Sequence, residues 1–283
     1  MAAEQEKQAG LPGKSCRRRL AVITGASRGI GNALAHRFYR AGYALVLNAR
    51  DEEALLALTA GLAENPEEVP ADDPSGMHRI EKPEGTSRCR SVSGDISEPE
   101  TARRLMEAAD ALSEELGLPH SIDVLINNAG VAHIGLLQDM DTEAWNRILG
   151  ADLTGVFNTC REAVPRMLHT HSGRILNISS VWGVVGASCE VAYSAAKGGV
   201  NAFTAALAKE LAPSGIAVNA VACGAVDTEM NGQLSEEERT QLCEEIPAGR
   251  MADPDEVAEL CLHLCEVSPY LTGQTIRFDG GWI

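Results

Sequence analysis

The sequence predicts an α/β fold: a single Rossmann-type, doubly wound parallel sheet of about seven strands with helices on both faces. Three observations predict this fold. Short apolar runs rich in strand-forming residues alternate with segments of helical periodicity, and a glycine-rich turn directly follows the first run. The chain also has 283 residues, of which 45% are hydrophobic, and this is enough for one large buried core.

The elements begin with an apolar strand, Leu20 to Thr24, which breaks at Gly25 into a helix ending near Ala41-Gly42. A second strand, Ala44 to Asn48, precedes a helix from about Asp51. The later expected strands are one ending near Gly94 and then Ile122 to Ile126, Arg174 to Ser179, Ile216 to Val221 and Gln274 to Phe278. The later expected helices are about Pro99 to Leu116, 142 to 169, 191 to 212 and 254 to 266.

The domain organisation follows from where this alternation stops. Residues 1–19 carry basic residues but no periodic apolar pattern, so we expect a flexible leader. Residues 20–283 are expected to form one domain, because no shift in composition marks a boundary. Residues from about 64 to 88 are dense in Pro, Gly, Glu and Asp, which predicts a surface insertion.

Charge and cysteine usage exclude several classes of protein. The formal net charge of −16 and the isoelectric point near 4.9 disfavour nucleic acid and anionic membrane surfaces as partners. We expect neither a secretory signal nor a membrane span, because no apolar run has the required length and flanking charge. The eight cysteines lack metal-ligand spacing, which predicts no metal site and a reducing cytoplasm. Cys261 and Cys265 flank His263, and we interpret the two thiols as helix packing.

The turn between the first strand and the first helix has the composition of a phosphate-binding loop. It runs from Thr24 to Gly31, and its glycines let a pyrophosphate approach the backbone N–H groups at a helix N-terminus. The spacing departs from the usual GxGxxG, so the support comes from its place between a strand and a helix. The expected cofactor contacts of this loop are Gly25, Ser27, Arg28, Gly29, Ile30 and Gly31.

The end of the second strand indicates which dinucleotide binds. An acidic side chain there would bind the ribose 2′-hydroxyl of NAD, but this strand ends Asn48-Ala49-Arg50. Arg28 and Arg50 could instead meet the extra phosphate of NADP. Either arginine alone could equally be a solvated surface charge, whereas the two together favour NADP(H).

Tyr193 and Lys197 are the candidate catalytic pair. They are four residues apart in a segment of helical pattern, so their side chains lie on one face of the helix, one turn apart. Lowering the pKa of tyrosine from about 10 toward neutrality requires about 4 kcal/mol. One cation about 4 Å away, at an effective dielectric constant of about 20, supplies about that much. We therefore expect Lys197 to lower the pKa of Tyr193.

Four motifs in order resemble the short-chain dehydrogenase/reductase family: the loop Thr24 to Gly31, Asn127 to Gly130, Ser180, and Tyr193-x-x-x-Lys197. The resemblance runs from about Leu20 to Trp282. It implies that Tyr193 is the general acid, that Lys197 lowers its pKa and holds the nicotinamide ribose, and that Ser180 hydrogen-bonds the substrate oxygen. It also implies that Asp95 meets the adenine and that Asn127 supports the central sheet. The further cofactor contacts that it implies are Ile96, Ala129, Gly130, Val226 and Thr228.

Two positions depart from the family pattern. The family's fourth catalytic residue is usually an asparagine that orders a water in a proton relay, and Asp152 occupies the matching position. We predict that Asp152→Asn retains or raises activity. Cys223-Gly224 stands where the family commonly has Pro-Gly, and a buried thiol is the simplest explanation.

The substrate is left open between two family resemblances. The segment between Ser180 and Tyr193 borders the substrate in this family, which makes Trp182 and Glu190 candidate specificity residues. The chain resembles 3-oxoacyl-[acyl-carrier-protein] reductases across its length, with the basic residues Arg166 and Lys209 near where those enzymes meet an acidic carrier.

The second resemblance is to the elongation factor P 5-aminopentanone reductases, through the segments Trp182 to Glu190 and Asn219 to Met230. In that interpretation Glu190 could complement an amine-bearing substrate. Steroid, sugar or xenobiotic alcohol dehydrogenases are the remaining reductase alternatives, and a non-catalytic NADP-binding scaffold is the alternative of another class. The resemblance also implies a homotetramer, with contacts through the helices at 142 to 169 and 191 to 212.

Overall fold

The computed structural model describes residues 19–64, 87–119, 122–232 and 234–283. The expected leader lies outside the described residues except for residue 19. The expected insertion at about 64–88 also lies outside them, except for residues 64, 87 and 88.

Seven parallel strands form one sheet through the described residues, in the order β3-β2-β1-β4-β5-β6-β7. The strands are β1 (Leu20–Thr24), β2 (Ala44–Ala49), β3 (Cys89–Ser93), β4 (Val124–Asn127), β5 (Gly173–Ser180), β6 (Ile216–Cys223) and β7 (Thr275–Phe278). β1, β2, β4 and β6 are buried along their whole length, as near-continuous apolar runs predict for strands covered on both faces. The predicted doubly wound parallel sheet is confirmed.

The helices begin and end close to the predicted bounds. They are α1 (Gly29–Arg40), α2 (Glu52–Glu64), α3 (Pro99–Glu115), α4 (Thr142–Leu149), α5 (Gly155–Thr170), α6 (Trp182–Val185), α7 (Val191–Leu211), α8 (Glu236–Glu245) and α9 (Pro254–Glu266). α6 and α8 were not predicted from the sequence. A signal for α8 exists in the capping box, in which the Ser235 hydroxyl accepts the Glu238 N–H and the Glu238 carboxylate accepts the Ser235 N–H. No helix in the described part of the chain is long and apolar enough to cross a membrane.

The helices bury a separate apolar layer on each face of the sheet. On one face α1 and α9 pack together, with Phe38 of α1 and Val257 of α9 fully buried. On the other face α3, α5 and α7 contribute Leu105, Met167 and Val200. Helices therefore cover both faces of the sheet, and a ligand can approach the sheet at the ends of its strands.

The two cysteines of α9 belong to the first of these layers. Cys261 and Cys265 are buried, whereas His263 between them is exposed. Burial raises the pKa of Cys265 to about 12, so this thiol stays neutral. Both side chains pack as small apolar groups.

The predicted helix at 142–169 is continuous but changes type in its middle. α4 leads into a five-residue π-helical segment, Gly150–Thr154, and α5 follows directly. A π-helical segment adds a residue to one turn and changes the direction of the side chains around it, which apolar periodicity does not reveal. The segment contains Asp152, whose side chain is fully buried.

The strand order places a crevice at β1. β1 lies between β2 and β4, so the order of the strands reverses there. In doubly wound sheets ligands bind at the carboxyl ends of the strands beside such a point.

Candidate active site

A cleft of about 830 Å³ opens at the carboxyl ends of β1, β2, β4, β5 and β6. This volume falls within the range of about 300–1,000 Å³ that small-molecule and cofactor sites occupy. The structure brings most of the predicted site residues onto its walls: Gly25, Ser27, Arg28, Gly29, Ile30, Arg50, Asp95, Ile96, Ala129, Gly130, Asp152, Ser180, Tyr193, Lys197, Val226 and Thr228. Four predicted residues do not line it: Gly31, Asn127, Trp182 and Glu190.

The loop after β1 adopts a conformation that requires glycine at two positions. Gly25 has a φ of +65°, and a Cβ there would lie 2.8 Å from the Cα of Ala129. A Cβ at Gly31 would lie 2.0 Å from the carbonyl oxygen of Gly25, so Gly31 serves the close packing of the loop from outside the cleft. The N-terminus of α1 has no side-chain cap and no acidic residue in its first turn. Its free N–H groups fit a pyrophosphate.

Asn128, which was not among the predicted site residues, holds this loop in place. Its side-chain amide donates hydrogen bonds to the carbonyl oxygens of Thr24 (3.1 Å) and Gly25 (3.0 Å). In return the Thr24 hydroxyl accepts the N–H of Asn128 (3.0 Å) and of Ala129 (3.1 Å). The adjacent asparagines of the Asn-Asn-Ala-Gly motif were the available signal.

The far end of the cleft carries two exposed arginines. Arg28 lies 3.6 Å from Glu229, and both side chains are largely exposed. Arg50 follows β2, lines the cleft and makes no ion pair with any described carboxylate. The side chain of Asp95 accepts the N–H of Ser97 at 2.8 Å, which fixes the turn after β3. The end of β2 thus presents a cation where an acidic side chain would bind a ribose hydroxyl.

Ser180, Tyr193 and Lys197 meet at the other end, where β5 ends and α7 begins. The Lys197 ammonium lies 5.5 Å from the centre of the Tyr193 ring and donates a hydrogen bond to the carbonyl oxygen of Ile178 at 3.0 Å. The Ser180 hydroxyl accepts the N–H of Trp182 at 3.2 Å. A Cβ at Gly183 would lie 2.6 Å from the backbone of Lys197, so this glycine lets α6 and α7 pack closely beside the site.

Asp152 adds a carboxylate to this group. One carboxylate oxygen, Oδ2, accepts the N–H of Val131 at 2.8 Å. The other, Oδ1, lies 3.2 Å from Nζ of Lys197, and both side chains are almost completely buried. Burial raises the pKa of Asp152, against the opposing charge of Lys197. Burial also opposes the charge of Lys197, but Asp152 and Tyr193 together raise its pKa above the usual value, so the ammonium stays charged at neutral pH.

Lys197 acts on the pKa of Tyr193 in the expected direction, but the net shift of that pKa is upward. Burial raises the pKa of Tyr193 above 10, because the phenolate would lose its hydration. Lys197 and a hydrogen bond from Ser180 do lower it, as expected, but Asp152 raises it again. Tyr193 is therefore a neutral phenol at physiological pH.

A polar network lies beneath the cleft. The amide of Asn127 donates to Asn177 at 2.8 Å and its oxygen accepts the Thr159 hydroxyl at 2.6 Å. The Asn177 amide donates in turn to Thr204 at 2.8 Å. All four side chains are buried, and they join β4 and β5 to α5 and α7. Asn127 thus contacts the sheet rather than the cleft.

Trp182 and Glu190, the predicted substrate residues, face each other instead of the cleft. Trp182 packs edge-to-face on Trp282, with ring centres 4.9 Å apart. Burial raises the pKa of Glu190, and a hydrogen bond with Trp182 partly opposes that change. The cleft is also lined by residues that were not predicted from the sequence, among them Val131, Ala132, His133, Ile134, Arg147 and Met230.

Cys223, at the end of β6, lines the cleft as a buried thiol. Burial raises its pKa to about 12, although the nearby Lys197 acts in the opposite direction. The thiol is therefore neutral at physiological pH, in agreement with the buried-thiol explanation.

Of the two basic residues expected near a carrier, Arg166 is engaged within the chain. Its guanidinium binds the carboxylate of Asp110 at 2.7–3.0 Å and joins α5 to α3. Lys209 is exposed on α7. A bidentate pair of this kind holds the arginine in one orientation.

Comparisons with known proteins find two matching family models and several similar sequences. A family model described as short chain dehydrogenase matches residues 19–72, and one described as enoyl-(acyl carrier protein) reductase matches residues 69–283. An uncharacterized oxidoreductase of Bacillus subtilis is 36% identical over 93% of this chain and 98% of its own length. The 3-oxoacyl-[acyl-carrier-protein] reductase of Aquifex aeolicus is 35% identical over 93% and 96%, and that of Thermotoga maritima is 34% identical over 96% and 99%.

Proposed function

Because this chain belongs to the short-chain dehydrogenase/reductase family and is an oxidoreductase acting on CH–OH and C=O groups, we propose that it reduces a ketone to a secondary alcohol with NADPH. The substrate class that we propose is the 3-oxoacyl thioester, as in the 3-oxoacyl-[acyl-carrier-protein] reductases to which it is similar. The observation that carries the proposal is the meeting of Ser180, Tyr193 and Lys197 in one cleft with the phosphate loop.

The chemistry divides between the cofactor and the chain. Bound NADPH supplies the hydride for the carbonyl carbon. Ser180 and Tyr193 orient the carbonyl by donating hydrogen bonds to its oxygen. As negative charge develops on that oxygen, the Tyr193 phenol gives up its proton and the product is an alcohol. The resulting phenolate is stabilised by Lys197 until Tyr193 regains a proton from solvent.

The protonation state of Tyr193 supports the reductive direction. Its pKa is raised by burial, so the proton to be donated is present throughout the physiological range. Alcohol oxidation would require the phenolate instead, and it should therefore need alkaline pH.

The cofactor preference rests on Arg28 and Arg50. Both are exposed at the far end of the cleft, and either guanidinium can donate hydrogen bonds to a ribose 2′-phosphate. β2 itself contains no acidic side chain, and Asp51, which follows Arg50 and lines the cleft, accepts the N–H of Ala54 at 3.0 Å.

A substrate panel tests the proposal. Purified protein is mixed with NADPH and, in separate reactions, acetoacetyl-coenzyme A, an acetoacetyl thioester of acyl carrier protein and aminopentanone-modified elongation factor P, and NADPH consumption is followed. We expect the thioesters to be reduced and the Tyr193→Phe variant to be slower by about 10²–10⁴-fold. Turnover of the modified elongation factor alone would reassign the substrate. Equal rates for wild type and Tyr193→Phe on every substrate would favour a non-catalytic scaffold.

A further inference from the structure

Asp152 places a second buried charge beside the catalytic lysine. Its side chain is completely buried, Oδ2 takes the Val131 N–H, and Oδ1 has no aligned hydrogen-bond donor. The nearest cation is Nζ of Lys197, 3.2 Å from Oδ1. An asparagine here would be neutral, so the aspartate changes the charge of the site.

Gly130 leaves room for this pair. A Cβ on Gly130 would lie 2.6 Å from Oδ1 of Asp152 and 3.4 Å from Nζ of Lys197. Any side chain at this position would therefore push the carboxylate away from the ammonium. The absence of a side chain at Gly130 thus permits the ion pair.

The carboxylate is close enough to act on Tyr193. Since Nζ of Lys197 is 5.5 Å from the ring centre and 3.2 Å from the carboxylate, the carboxylate lies at most about 9 Å from the ring. A unit charge at that distance, with an effective dielectric constant of about 20, moves the titration of a phenol by about one pH unit or more. Mobile ions screen buried charges only weakly, so this effect persists at physiological salt.

The other titratable groups around Tyr193 do not carry a competing charge of this kind. Cys223 of β6 is a neutral thiol, and Glu190 is not among the groups that shift the pKa of Tyr193. His133 and Arg147 line the open part of the cleft, where solvent screens them more strongly. Asp152 and Lys197 are therefore the buried pair that sets the field at the phenol.

We propose that Asp152 is a positioning residue that holds Lys197 and offsets its charge, so that Tyr193 remains a neutral proton donor to higher pH than Lys197 alone would allow. The inference rests on the proposed function of Tyr193 as the proton donor. It predicts an enzyme whose carbonyl reduction persists into alkaline solution and whose alcohol oxidation begins only at higher pH.

The experiment is a titration of Tyr193 by tyrosinate absorbance in the full-length protein. Each sample is read within milliseconds of a pH jump, before unfolding, and the spectrum of the same protein carrying Tyr193→Phe is subtracted. We expect Asp152→Asn to lower the midpoint by about one pH unit or more. Asp110→Asn is the matched control, since it removes the same charge from the Arg166 pair, outside the cleft, and it should leave the midpoint unchanged.

A second variant provides the test if Asp152→Asn does not fold. Asp152→Ser replaces the carboxylate by a smaller neutral polar group, so it should also lower the midpoint. The pH at which carbonyl reduction begins to fall should move down in parallel. A folded Asp152→Asn or Asp152→Ser protein in which Tyr193 titrates at the wild-type pH, or higher, would overturn the inference.

The titration needs no substrate, so the two proposals fail separately. A lowered midpoint with no turnover of any ketone would refute the proposed function alone. An unchanged midpoint in an active enzyme would refute the role of Asp152 alone.

Discussion

Replacement of Arg50 by alanine should weaken NADPH binding selectively. Arg50 is exposed, lines the cleft at the end of β2 and makes no ion pair with a described carboxylate, so nothing must be broken before it meets a phosphate. A charge-assisted hydrogen bond contributes about 1.5–3 kcal/mol, so Arg50→Ala should raise the KM for NADPH by about 10–150-fold. Arg28 must first leave Glu229, 3.6 Å away, so Arg28→Ala should have a smaller effect.

The assay is steady-state kinetics with NADPH and NADH at saturating ketone. The KM for NADH should stay within about twofold of wild type, because NADH lacks the 2′-phosphate that the arginine would bind. Arg37→Ala is the control. Arg37 of α1 forms an ion pair with Glu259 of α9 at 2.9 Å and does not line the cleft. An equal loss of affinity for both cofactors, or no loss for NADPH, would refute the assignment of Arg50 to the phosphate.

Three further predictions concern the loop, the buried network and pH. Gly31→Ala should destabilise the protein by about 1–3 kcal/mol and weaken cofactor binding, since its Cβ would lie 2.0 Å from a carbonyl oxygen of the loop; wild-type melting temperature and NADPH affinity would contradict this. Asn177→Ala leaves Asn127 and Thr204 without their buried partner and should cost about 2 kcal/mol or more in the free energy of unfolding; a denaturant midpoint equal to wild type would contradict it. Carbonyl reduction should be level from neutral pH into alkaline solution and fall only there, because burial raises the pKa of Tyr193 and the donor is its protonated form; a fall centred near neutral pH would contradict it.

The order of the elements could be predicted because the signals are local. Apolar strands and helical periodicity lie within short windows, and their repeated alternation favours a parallel sheet with helices on both faces. The spacing of Tyr193 and Lys197 likewise needs only one helical turn, which α7 provides. Such features can be predicted without any knowledge of tertiary contacts.

The orientation of side chains in the loops could not be predicted, because it depends on contacts with residues distant in the sequence. Trp182 turns toward Trp282, which comes from the C-terminal end of the chain, and Glu190 turns with it. His133 and Met230, which were not predicted, line the cleft, whereas Trp182 and Glu190 do not. No local pattern in the sequence encodes that choice.

The electrostatics of the site also depended on the fold. Spacing alone gave Tyr193 a neighbouring cation, but burial and the carboxylate of Asp152 reverse the net effect on the phenol. That carboxylate reaches Lys197 from a π-helical segment, and helical periodicity cannot place it. The charge of a buried site is the sum of contributions from several elements.

The central claim is that Tyr193 donates the proton during carbonyl reduction. Its most direct test is the single-turnover rate of NADPH oxidation at pH 7 with an acetoacetyl thioester, in wild type and Tyr193→Phe, with Tyr270→Phe as an exposed control. We predict a loss of at least about a hundredfold for Tyr193→Phe with unchanged NADPH affinity, and no loss for Tyr270→Phe. Equal single-turnover rates for wild type and Tyr193→Phe would contradict the claim.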